Sequence, residues 1–122
     1  MASPSELSRA YVAAFNAGDL DALMALVDER ADFARPDEEP LLGKEAVRLR
    51  YVDGWSTHSQ VRVDALRILE SGSTAVAEIE VDAGPPSHEW YRGVVIHDWS
   101  HEGRLVRYRL YVGDTQRPDT RG

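Results

Sequence analysis

Apolar positions recur every three to four residues near the start of the chain, and the period switches to two from Gln60 onward. Leu7, Ala10, Tyr11, Ala14 and Phe15 mark a first helix. Ser3 caps it, Pro4 suits its first position, Glu6 completes a capping box and Gly18 closes it in a left-handed conformation. Asp19 caps a second helix with an apolar face of Leu20, Leu23, Met24 and Val27. A short strand is predicted over 31–35, stopped by Pro36, then an acidic loop over 37–40. A third helix runs from Lys44 to about Trp55, with Val47, Tyr51 and Trp55 on one stripe. Strands are then predicted over 61–69, 74–82, 89–99 and 105–112, with turns at Ser71-Gly72-Ser73, Gly84-Pro85-Pro86-Ser87 and His101-Glu102-Gly103. Helices ahead of an antiparallel meander predict an α+β fold in which the helices close one face of the sheet and make a pocket.

Strand parity decides which side chains face inward. Val106, Tyr108, Leu110 and Val112 form the apolar side of the last strand. Ala77, Ile79 and Val81 alternate with Glu78 and Glu80, and apolar-in packing leaves both glutamates in water.

Composition adds exclusions. The 122 residues suit a single domain over 1–122, with a loose tail from about residue 114. No cysteine is present, so disulfides, thiol nucleophiles and thiolate metal sites are absent, and a cytoplasmic location is expected. The formal charge of −7 makes nucleic acid a poor partner, and no apolar run is long enough to span a membrane. The histidines at 58, 88, 97 and 101 match no metal-ligand spacing, so neither a metal nor any other cofactor is expected.

The segment from Tyr11 to Asp21, YVAAFNAGDLD, resembles the opening of bacterial ketosteroid isomerases. More broadly it is similar to the superfamily of SnoaL-like polyketide cyclases, scytalone dehydratase and nuclear transport factor 2. Arg30-Ala31-Asp32-Phe33, Gly43-Lys44-Glu45-Ala46-Val47, the strand leading to Trp99 and Gly103-Arg104-Leu105-Val106 extend the resemblance from about Leu7 to Asp114. It implies a cone-shaped curved sheet wrapped around three N-terminal helices, and a homodimer. Tyr11 falls where the isomerases keep the tyrosine that hydrogen-bonds the substrate oxygen. Arg35 falls where they keep the aspartate base, and Val95 where they keep a protonated aspartate. With two of three catalytic groups replaced, steroid isomerisation is not expected. The resemblance also puts Val95 inside, with Tyr91, Gly93, His97 and Trp99 on the same face. It points Glu78 and Glu80 toward the cone, against the apolar-in reading.

The candidate site follows. His97 is placed to move a proton in an apolar cone, or is a core histidine holding one neighbour. Tyr11 donates to a ligand oxygen or is simply an amphipathic helix residue. Arg35 anchors a carboxylate or enolate, or pairs with Asp37, Glu38 or Glu39. Glu78, if inward, tunes His97 or Arg35. Trp55, Trp99 and Tyr108 supply apolar walls or plain packing. The expected partner is a small apolar organic molecule. The expected activity is cofactor-free isomerisation, dehydration or cyclisation, against a non-catalytic binding or association domain, or a protein-docking module.

Overall fold

The computed structural model describes residues 2–118. Helix α1 (Pro4–Ala17) starts with the expected reciprocal cap. The Glu6 amide donates to Ser3 Oγ at 3.2 Å, and the Ser3 amide donates to Glu6 Oε1 at 2.9 Å. Gly18 ends it with φ of 65°, a left-handed conformation that costs a glycine least. Asp19 caps α2 (Leu20–Ala25) by accepting from the Ala22 amide. The second helix is shorter than its periodicity suggested. Val27 is the first residue of strand β1 (Val27–Ala34), which starts four residues earlier than expected and leaves Arg35 just beyond its end. Strand β2 is only Leu41–Leu42, and α3 is Lys44–Thr57. The remaining strands are β3 (Arg62–Ser71), β4 (Thr74–Asp82), β5 (Trp90–Trp99) and β6 (Leu105–Val112).

All six strands form one sheet in the order β2-β1-β6-β5-β4-β3. Only β1 and β6 pair in parallel, because the chain crosses from β1 through α3 and the meander before returning beside it. The sheet curves over α1, and α1 packs against β3, β4 and β5. Phe33, Leu23, Val27, Val47 and Leu105 are fully buried between the helices and the sheet. This is the expected α+β cone.

The register breaks in three strand pairs, once between Val27 and Asp32 on β1 and at two further bulges that re-aim side chains. One lies between Ala65 and Arg67 on β3 and turns Leu66 out to solvent. The other, where Trp99 pairs with Leu105 and Asp98 with Arg107, buries Leu105 in place of the expected Val106. Val112, also expected inside, is 38% exposed at the strand end. The tail is tied further than expected. Arg92 exchanges backbone hydrogen bonds with Gly113 and Asp114, and Arg117 reaches Asp82 at 2.7 Å while lying over the Trp90 ring. The tail's last residues, 119–122, lie outside the described part.

Candidate functional site

A cavity of about 320 Å³ opens between α1, α3 and the concave face of β4, β5 and β6. Its apolar wall includes Phe15, Trp55, Val63, Ile79, Val81 and Val95. Ala75, Ala77 and Ile79 are buried, so the apolar-in reading of β4 is correct. Glu78 therefore does not line the cavity. It sits on the opposite sheet face between Arg67 and Val94, because period-two alternation sends it away from Ile79. Glu80 shares that face, accepting from Trp90 Nε1 at 3.1 Å and from Arg92 at 3.4 Å.

The remaining polar candidates come together. Tyr11 from α1, Arg35 from the end of β1, His97 from β5 and Tyr108 from β6 all line the cavity, joined by Tyr51 from α3. Arg35 and His97 each lie 5.5 Å from the Tyr108 ring centroid, so they are no more than twice that distance apart. The Tyr11 ring stands edge-on to His97 at 5.3 Å, and its hydroxyl is hydrogen-bonded to that of Tyr51. Burial, reinforced by the neighbouring Tyr51, holds the Tyr11 phenol well above its ordinary pKa, so it is a neutral donor.

Arg35 is not paired with the acidic loop. Glu38 instead takes the Arg50 guanidinium in two hydrogen bonds of 3.0 and 3.3 Å. No described carboxylate lies within ion-pair distance of Arg35, its Nε is buried without a partner, and its guanidinium donates to no described residue. Its cation lies 5.5 Å from both the Tyr51 and Tyr108 ring centroids, within reach of two π faces. Burial opposes the charge, but the facing Tyr108, Tyr51 and Tyr11 oxygens raise its pKa, and Arg35 stays a cation.

His97 is 2% exposed. Its Nδ1 meets Ser8 Oγ at 2.7 Å, while its Nε2 is buried without a partner among the described residues. Burial drives its pKa down to about 4, with the nearby Asp98 a smaller opposing influence, so the ring is neutral at pH 7. Trp99 was expected to wall the cavity. It packs beside His97 instead, and its Nε1 donates to Ser8 Oγ at 3.1 Å.

The pattern missed Ser8, Tyr51 and Arg50. A signal for the first was present: Ser8 lies three residues before Tyr11 and seven before Phe15, so it shares the buried helix stripe. Tyr51 stood on the α3 stripe with no role assigned to it, and nothing local assigned Arg50. Among the described residues no group of His, Asp and Glu side chains is arranged to hold a metal ion, and no helix is long and apolar enough to cross a membrane.

A mixed cone with a donor-lined cavity defines a class of small α+β domains, and comparison with known proteins gives the family. The SnoaL-like domain matches residues 8–108, and the chain belongs to that family. Solved structures agree on the fold. A cystatin-fold protein of Novosphingobium aromaticivorans is 20% identical, with a TM-score of 0.83 covering 91% of this chain and 99% of that one. A SnoaL-like protein of unknown function from Burkholderia thailandensis is 15% identical, with a TM-score of 0.77 over 91% and 95% of the two chains. An LEH-like epoxide hydrolase of M. tuberculosis is 15% identical, with a TM-score of 0.78 over 90% and 82%. No curated protein matched the sequence.

Proposed function

We propose that the protein binds a small, mostly apolar organic anion in the cone, its carboxylate or enolate oxygen held by Arg35. The observation that carries this reading is a half-buried guanidinium, its Nε buried and no carboxylate among the described residues within ion-pair distance, facing an aromatic cavity. Drawing a guanidinium out of water without a carboxylate in ion-pair distance is costly, and the two π faces offset only part of that cost, so its retention there fits a role that an anionic ligand completes. The tyrosines add neutral donors around it, and the apolar wall takes the hydrophobic body. Glu89 is the one carboxylate among the cavity-lining residues, and it is exposed at the rim.

This reading favours binding over proton transfer. A general base at neutral pH needs a pKa near the working pH, and His97 is held far below it. A catalytic version is supported by the convergence of Tyr11, Arg35 and His97 on one cavity. There these donors would stabilise charge developing on a ligand oxygen, as an oxyanion site does. A cytoplasmic homodimer remains part of the proposal, on the family resemblance. The exposed Leu69, Val94 and Tyr111 on the outer sheet face support the association, and sedimentation velocity tests it by giving a mass of one chain or two.

The ligand class is tested with 4-phenylbutyrate and its neutral amide, 4-phenylbutanamide, followed by calorimetry. The wild type should bind the acid at least tenfold more tightly, in line with about 1.5–3 kcal/mol for a hydrogen bond to a charged group. Arg35→Met should erase that preference while keeping the fold. Equal affinity of the wild type for acid and amide would reject the reading.

A further inference from the structure

The Ser8–His97–Trp99 contacts permit a hydrogen-by-hydrogen account. The Trp99 indole has only a donor, so at 3.1 Å its Nε1–H must point at Ser8 Oγ. Ser8 is fully buried, and Nδ1 of His97 is the one described acceptor within reach of its hydroxyl. Two arrangements remain. Either the Ser8 hydroxyl donates to Nδ1 and the ring proton sits on Nε2, or Nδ1–H donates to a Ser8 oxygen that already accepts from Trp99. The second strands a buried hydroxyl hydrogen, which costs about 1–3 kcal/mol and disfavours it by roughly 5- to 150-fold. Nε2 is without a described partner in both arrangements, so the Ser8 side decides.

From this geometry we infer that Ser8, itself oriented by Trp99, is a positioning residue that locks His97 as an Nε2–H donor aimed at the ligand. Resting on the anion-binding reading above, the inference narrows the ligand class. The preferred molecule carries, besides its anionic oxygen at Arg35, a second oxygen acceptor such as a ketone or ester carbonyl for His97. An N–H at that point would meet another N–H and be rejected. Both anchors lie 5.5 Å from the Tyr108 ring centroid and both line the one cavity, a separation within the length of a small molecule. His97 lines the cavity and its Nε2 has no described partner, an unmet hydrogen bond that such a carbonyl would satisfy.

The test begins without a ligand. Long-range nitrogen–proton correlation spectra of imidazole-labelled protein at pH 7 distinguish the two tautomers, with the His97 signal assigned from its loss in His97→Gln. The expected result is one neutral Nε2–H form in the wild type and a mixture of both tautomers in Ser8→Ala. A wild-type Nδ1–H form or mixture overturns the inference, whatever the variant does, and so does an unchanged pure Nε2–H form in a folded Ser8→Ala. Binding then follows, using 3-benzoylpropionate and 4-phenylbutyrate, which differ only by the ketone oxygen. The wild type should prefer the keto acid by about fivefold to tenfold, the range of one neutral hydrogen bond. In Ser8→Ala an even mixture of tautomers should cut that preference by about half, because only the competent form binds the ketone. Equal wild-type affinity for the two acids overturns the ligand assignment. If neither acid binds while the Nε2–H form is seen, the anion-binding reading fails and the tautomer lock stands.

Discussion

The neutral, buried state of His97 has a consequence for stability that can be measured directly. In the unfolded chain an exposed histidine titrates near its ordinary value of 6.5, whereas burial lowers His97 to about 4 in the fold. The unfolded state therefore binds the extra proton between those values. The stability contributed by keeping His97 neutral is present in full above pH 6.5 and is lost as pH falls toward 4. By proton linkage the loss from this one residue is about 2 kcal/mol between pH 7 and pH 5, and about 3 kcal/mol by pH 4. Carboxylates held below their usual values, such as Glu38 beside Arg50 and Asp82 beside the Gly84 amide, titrate lower and remain in both proteins when His97 is replaced. The assay is urea unfolding followed by tryptophan fluorescence at pH 7 and pH 5, for the wild type and for His97→Gln. The stability gap between the two should change by about 2 kcal/mol in favour of the variant on going to pH 5. Parallel pH dependences would show that His97 is protonated in the fold at no cost, refuting both the burial argument and the neutral donor drawn from it.

Three other substitutions probe the frame that holds the cavity. Gly93→Ala would place a Cβ 2.3 Å from the Tyr111 carbonyl oxygen across the β5–β6 pair, so a loss of about 2–3 kcal/mol is expected in urea unfolding. Phe33 is fully buried and stacks on Tyr108 at 4.6 Å, so Phe33→Ala should cost about 3–5 kcal/mol and loosen the wall between Arg35 and His97. Asn16 donates to the Val63 carbonyl at 2.7 Å and accepts from the Val63 amide at 2.8 Å, tying edge strand β3 to α1. Asn16→Ala should lower stability by about 1–3 kcal/mol and speed hydrogen exchange at the Val63 amide ahead of the sheet centre.

Local chemistry in the sequence determined the elements. Ser3, Glu6, Gly18 and Asp19 fix helix ends through contacts within a few residues, and the alternation in Thr74–Asp82 fixes which side of β4 is buried. The family resemblance put Val95 on the inner face of β5, period two carried Tyr91 and His97 with it, and the resemblance brought Tyr11 and Arg35 to the same cone. Pairing across distance lay beyond that reach. The two bulges that expose Leu66 and bury Leu105 depend on a neighbouring strand. Arg35 had three acidic residues beside it in sequence, yet the turn after β1 hands Glu38 to Arg50 and leaves Arg35 facing aromatic rings. Ser8 and His97 are 89 residues apart, and only packing α1 onto β5 brings a hydroxyl, an indole and an imidazole within hydrogen-bond range. A sequence lists donors and acceptors, whereas a proton's location depends on which of them share a buried volume, and tertiary structure alone decides that.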